Sequence, residues 1–227
     1  MYFDWTYFLV LIGAALSIWA SAGVKSTFSK YSKVLAMRGI TAYEAAERIL
    51  HDAGIYDVRI ERVAGHLTDH YDSSAKVLRL SDTVYNSTSV AAVGVAAHEC
   101  GHAIQDHESY VPLRLRHFLV PIVNFGNTLS MPLFFIGLLL GMHNTLVPIG
   151  IFLFSFAVLF QFVTLPVEFN ASSRAVAILG NSGMVMSEEL PKVKKVLRAA
   201  AYTYLAAAAA SALQLLRLLL IARRRRD

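Results

Sequence analysis

The residues best suited to chemistry stand in His98-Glu99-Cys100-Gly101-His102. On a helix, histidines four positions apart leave the same face one turn from each other, so both imidazoles can hold one zinc ion. Glu99 falls beside them, where its carboxylate can take a proton from a zinc-bound water. That chemistry is metal-assisted hydrolysis. The pattern fixes only three positions, and the plain alternative is a helix with two hydrogen-bonded histidines and a surface glutamate. The neighbouring residues argue against it. Ser89 is a suitable N-cap, residues 90–97 are all small or aliphatic, and the segment predicts a buried helix of about 18 residues. A buried helix seldom holds two histidines and a glutamate without partners for them.

Two imidazoles leave a zinc ion short of ligands. An extended pattern with a third histidine would need Gly at 105 and His at 108; Gln105 and Glu108 stand there instead, which excludes that class. Cys100 is the only cysteine. It points off the ligand face and rules out internal disulfides and cysteine-rich zinc sites. The better candidate is Glu168, in Leu165-Pro-Val-Glu-Phe-Asn-Ala-Ser-Ser-Arg-Ala175, where an apolar run ends and a helix with Ala171, Ala175 and Ala177 is expected to begin. The alternative is a glutamate that only favours a helix N-terminus or reaches from the membrane to water.

The elements that must position these residues are largely apolar. The chain is 56% hydrophobic with a mean hydropathy of +0.49, well beyond an ordinary soluble domain of this size. Trp5 to Val24 holds no charged residue; at roughly 20 residues it can cross a bilayer, and without a basic leading region it reads as a retained anchor. Phe118 to Val167 contains no Asp, Glu, Lys or Arg. Its length suits two spans, with the turn at Gly141 to Thr145. Ala199 to Ala222 is interrupted only by Arg217 and followed by Arg223 to Arg226, and reads either as a span or as a long amphipathic helix. Ala206 to Ala210 would let a neighbouring helix approach closely.

Charge placement bears on orientation. Lys25, Lys30, Lys33 and Arg38 follow the first span, and Lys192, Lys194, Lys195 and Arg198 follow the hairpin, so the positive-inside bias puts residues 25–117 in the cytoplasm. If the last segment spans, its terminal arginines fall on the other side, against that bias. The net charge of +5 comes from these flanks and suits an anionic membrane surface. No basic face interleaved with aromatics favours nucleic acid.

Between the first two spans the chain reads as a small α+β unit. Thr41-Ala-Tyr-Glu44 is a capping box, followed by a helix over Ala42 to Ala53 that ends at Gly54. Val58 to Val63 and Lys76 to Leu80 alternate as strands, with Gly65 to Asp72 between them and Ser73-Ser74-Ala75 as a turn. One role for Lys76 to Leu80 is to offer its edge to an extended peptide; the other is an ordinary sheet strand.

These motifs carry a resemblance. The zinc helix, the apolar hairpin and Glu168-Phe-Asn-Ala171 look like the membrane-embedded gluzincins related to HtpX. Gly65-His-Leu-Thr-Asp-His-Tyr-Asp72, Val93-Gly-Val-Ala-Ala-His-Glu99, Pro112-Leu-Arg-Leu-Arg116 and Leu165-Pro-Val-Glu-Phe-Asn-Ala-Ser172 resemble the bacterial YugP-type neutral zinc metallopeptidases, over nearly the whole chain. The likeness implies a single zinc ion held by His98, His102 and Glu168, with Glu99 as catalytic base. A peptidase site at the cytoplasmic surface of the bacterial cell membrane would suit polypeptide substrates such as damaged membrane proteins or peptides near the bilayer. One departure concerns the outer shell of the site. The HtpX pattern carries an aspartate four residues after the ligand glutamate, where Ser172 stands here; Asn170 and Asp69 are candidate substitutes.

Zinc-assisted attack on a carbonyl also needs a donor for the developing oxyanion, and His70, Tyr71 and Arg174 are candidates in that order. His70 could equally be a loop residue bonded to backbone, and Arg174 a partner for lipid phosphate or an acidic neighbour. The expected fold is α+β and mostly helical: a multi-span membrane protein with a small zincin-like catalytic unit of short sheet and HExxH helix. Its parts are an anchor at 1–24, the catalytic unit at 25–117, a transmembrane hairpin at 118–167, a third-ligand helix and connector at 168–198, and a terminal apolar helix with a basic tail at 199–227. Two other functions compete with a peptidase. One is an inactive zinc-binding membrane scaffold, for which Glu99→Gln would be harmless. The other is a transporter, disfavoured because the spans carry no ionisable residue except His143 in the turn and Arg217.

Overall fold

Ser89, with its side chain accepting from the Ala92 N–H at 3.2 Å, starts the helix that matters most to the site. The computed structural model describes residues 4–141 and 145–224; Tyr2, Phe3, Met142 to Asn144 and the last arginines of the tail lie outside them. The elements in order are α1 (Tyr7–Tyr31), α2 (Ala42–Asp52), β1 (Arg59–Val63), β2 (His70–Asp72), β3 (Val77–Ser81), α3 (Val90–His107), α4 (Val111–Leu139), α5 (Leu146–Asn181) and α6 (Leu190–Arg224). The protein is mostly helical with one small sheet, as the α+β reading expects.

The chain divides into two units, residues 22–113 with 167–202, and residues 1–21, 114–166 and 203–227. The first holds the sheet and α3. Its core gathers Ala45, Ala46, Ile49 and Leu50 of α2, Leu78 and Leu80 of β3, the small face of α3, Ala175 and Leu179 of α5, and Val193 and Val196 of α6. Phe28 and Tyr31 belong to this core as well. That is why α1 does not stop at Val24: nothing breaks the helix, and its last two turns have apolar side chains to bury.

Strand order is β1-β3-β2, with β1 parallel and β2 antiparallel to β3. The two expected strands appear within one residue of their predicted bounds. β2 lies in what reads from sequence as a loop. The edge role considered for Lys76 to Leu80 fails, because β3 is the central strand and both its edges are taken. Its burial agrees: Val77, Leu78 and Leu80 are fully covered, as a strand flanked on both sides requires. The sheet's edges are β1 and β2.

Two helices differ from expectation. No helix begins at Glu168; α5 runs unbroken through Pro166. A proline removes one N–H from the ladder, and a long apolar helix tolerates this where its neighbours hold it. Glu168 is therefore far from the α5 N-terminus, which removes the dipole explanation for it. α6 starts at Leu190 rather than Ala199, because the buried Glu189 secures the turn before it. The Glu189 carboxylate accepts from the Met37 N–H at 2.8 Å and the Met186 N–H at 2.7 Å.

In the second unit, α1, α4, α5 and α6 are each long and apolar enough to cross a membrane. Trp19, Phe125 and Phe152 are exposed on them, a surface that suits lipid rather than water. α6 lies along α1. A Cβ on Gly13 would stand 3.1 Å from Ala210 Cα, and Arg217 Nη2 is 3.9 Å from Asp4 Oδ2 and stacked over the Tyr7 ring. These pairs run in opposite chain directions, so α6 packs antiparallel to α1.

α2 braces α3, and its start is secured by the capping box: the Thr41 hydroxyl accepts from the Glu44 N–H, and the Glu44 carboxylate accepts from the Thr41 N–H at 2.8 Å. Thr41→Ala should lower stability by about 1 kcal/mol, read from chemical unfolding in detergent, with bound metal unchanged at low denaturant.

Candidate metal centre

α3 and α5 meet at a glycine. A Cβ on Gly101 would lie 2.7 Å from the Ala171 carbonyl oxygen and 3.1 Å from its Cα, so the two backbones touch where any side chain would hold them apart. Gly101 stands between His98 and His102, and Ala171 between Glu168 and Ser172. The contact thus brings the predicted ligands face to face.

His98 Nε2 lies 3.3 Å and His102 Nε2 3.4 Å from Glu168 Oε2. Among the described residues these three form the one group of His, Cys, Asp or Glu side chains gathered tightly enough for a metal, with ligand atoms all within 4.8 Å of each other. The donor set suits zinc: two imidazole nitrogens and a carboxylate oxygen. Ligands at zinc bond lengths in a tetrahedron stand roughly 3.3–3.4 Å apart, which matches both carboxylate distances. Glu99, His102 and Glu168 are all buried, in a setting where water is limited and charges interact strongly.

Each histidine has a partner for its other nitrogen. Ser172 Oγ is 3.1 Å from His98 Nδ1; the residue that replaces the expected aspartate fills that place itself, one helical turn after Glu168. Gln105 Oε1 is 3.0 Å from His102 Nδ1. Gln105 is fully buried, and its Nε2 donates to the Val167 carbonyl at 2.8 Å and to Asn170 Oδ1 at 2.9 Å. Of the two substitutes considered for Ser172, Asn170 joins this network through Gln105. Asp69 does not: it accepts from the Ser81 N–H and hydroxyl at 2.8 and 2.9 Å.

The oxyanion candidates have other contacts. His70 Nδ1 is 2.8 Å from the Thr68 carbonyl, and its Nε2 faces Arg79 at 3.4 Å. Alternation along β2 turns Tyr71 the other way, and its hydroxyl donates to Asp106 at 2.8 Å, beside Lys76 Nζ at 2.7 Å on the same carboxylate oxygen. Burial, reinforced by Asp106, pushes the Tyr71 hydroxyl pKa upward, so it stays a proton donor to that carboxylate. Arg174 donates through Nε to Asn170 Oδ1 at 2.8 Å and through Nη2 to Glu108 at 2.6 Å, and holds the Glu108 carboxyl below its usual range. None of these contacts is made with His98, His102 or Glu168. Cys100, on the opposite side of α3, bonds the Ala46 carbonyl at 3.6 Å, and burial pushes its thiol well up.

Sequence reasoning passed over Gln105, treating it only as a residue that is not glycine. Its signal was present: it follows His102 by three positions on a buried helix, the spacing of a same-face neighbour, and a buried amide needs partners.

Comparison with known proteins agrees with the geometry. The model of a family described as "Putative neutral zinc metallopeptidase" matches residues 6–223. "Putative membrane protease YugP" of Bacillus subtilis (strain 168) is 53% identical over 200 residues, which cover 88% of this chain and 88% of that relative. No solved structure matches the chain.

Two substitutions test the centre. Gly101→Ala should force α3 and α5 apart, with a stability loss of about 1–3 kcal/mol and a clear fall in zinc affinity, read by thermal unfolding and chelator competition. Ser172→Ala should leave stability near wild type but weaken zinc binding roughly tenfold in the same competition assay.

Proposed function

This chain belongs to the neutral zinc metallopeptidase family, and we propose that it is a membrane-embedded zinc endopeptidase with Glu99 as general base. The observation that carries the reading is the meeting of His98, His102 and Glu168 at ligand spacing, with Glu99 buried next to His98 in the chain. His98, His102 and Glu168 would hold the ion, two neutral imidazoles and one carboxylate. When bound, zinc lowers the pKa of water and polarises the carbonyl under attack. Glu99 takes the proton of the attacking water and delivers it to the leaving amine nitrogen, so that one carboxylate serves as base and then as acid. Ser172 and Gln105 keep the two imidazole rings turned toward Glu168.

The proposed substrates are polypeptides that reach the cytoplasmic face of the bacterial cell membrane, membrane proteins among them. The lysines and arginines that flank the apolar stretches, from Lys25 to Arg38 and from Lys192 to Arg198, support a cytoplasmic site by the positive-inside bias. The position of Glu168 directly after the uncharged run of α5 supports chemistry close to the bilayer.

Wild type and Glu99→Gln, purified in detergent, should each carry zinc, and only wild type should cleave an unfolded protein such as casein. A chelator should stop that cleavage and added zinc restore it. Equal cleavage by both proteins, or no zinc in either, would overturn the reading; zinc in both with cleavage by neither would favour the inactive scaffold.

A further inference from the structure

We infer that Gln105 is a positioning residue that fixes His102 in the tautomer with the proton on Nδ1, presenting a bare Nε2 toward Glu168 and the metal. The inference rests on the zinc reading above for its purpose, but its geometry stands on hydrogen bonds alone. It follows from which partners can only give and which can only receive.

The Val167 backbone carbonyl is an acceptor with no proton, so the Gln105 atom at 2.8 Å from it must be the amide nitrogen. A second constraint agrees. Arg174 can only donate, so the Asn170 atom facing its Nε at 2.8 Å must be the oxygen. That same oxygen is 2.9 Å from Gln105 and again calls for a nitrogen there. With its nitrogen committed twice, Gln105 turns its oxygen to His102 Nδ1 at 3.0 Å. An oxygen without a proton can only accept, so Nδ1 carries the hydrogen. Nε2 is then the atom left for a metal, and it is the atom 3.4 Å from the Glu168 carboxylate.

His98 has no such lock. A serine hydroxyl can donate or accept, so Ser172 is compatible with either tautomer. The amide also joins the two ligand helices at one point: its oxygen orients a ligand on α3, and its nitrogen holds the carbonyl of the residue just before the ligand on α5. Turning Gln105 would disturb both.

The test uses the full-length protein in detergent. Zinc dissociation constants come from chelator competition for wild type and Gln105→Leu, and imidazole protonation from 15N spectra of zinc-loaded, histidine-labelled protein, with the His102 signals assigned by their loss in His102→Asn. Gln105→Leu should weaken zinc binding by about 10- to 100-fold. Zinc-loaded wild type should show a protonated His102 Nδ1. A folded Gln105→Leu that binds zinc as tightly as wild type, or a wild-type His102 with an unprotonated Nδ1, would overturn the inference. Should Gln105→Leu not fold, the wild-type spectrum decides alone. Failure of wild type to bind zinc would overturn the proposed function and this inference together, whereas zinc bound by a wild type with an unprotonated His102 Nδ1, or bound equally well by Gln105→Leu, would overturn this inference alone.

Discussion

Two helix backbones in contact at Gly101 and Ala171 set the terms for everything else at the site. Side chains on facing helices normally keep the axes roughly 8–10 Å apart. Removing one Cβ closes the gap. Because Gly101 lies within the turn from His98 to His102, and Ala171 within the turn from Glu168 to Ser172, the contact sets one helical turn of each helix against the other. A ligand and a ligand's partner on α5 then fall opposite the two histidines of α3.

Close approach has an electrostatic consequence. Water cannot enter such an interface freely, so every polar group in it needs a protein partner. The structure meets this with a connected set: Ser172 for His98, Gln105 for His102, then Asn170, Arg174 and Glu108 toward the surface. Charge lies at its outer end, where the exposed Glu108 meets Arg174, and neutral amides and a hydroxyl surround the histidines. This order leaves Glu168 as the acidic group aimed at the two imidazoles, the distribution a divalent cation favours.

How far the sequence spoke for this depends on the range of the interaction concerned. Local signals read well. The Ser89 cap and the run of small residues after it predicted α3, the Thr41 and Glu44 pair predicted α2, and the alternating runs predicted β1 and β3 to within a residue. Signals needing a distant partner read poorly. β2 has three residues, too few for a period of two to stand out, and without it β3 could not be recognised as central. The end of the apolar run suggested a fresh start for the third-ligand helix, whereas α5 continues unbroken through Pro166. Glu168 was found because position and likeness both singled it out. Gln105 was missed because its partners, Val167 and Asn170, lie on another helix far along the chain, and nothing local says where a buried amide will point.

The continuity of α5 has a further meaning in time. His98 and His102 leave the ribosome early, while Glu168 follows only after the whole apolar hairpin has been made. A chain halted anywhere between them has two of the three ligand candidates and no second helix against which Gly101 can close. The gathered trio thus marks a chain whose synthesis has passed the hairpin, and completion of the centre is tied to completion of the polypeptide.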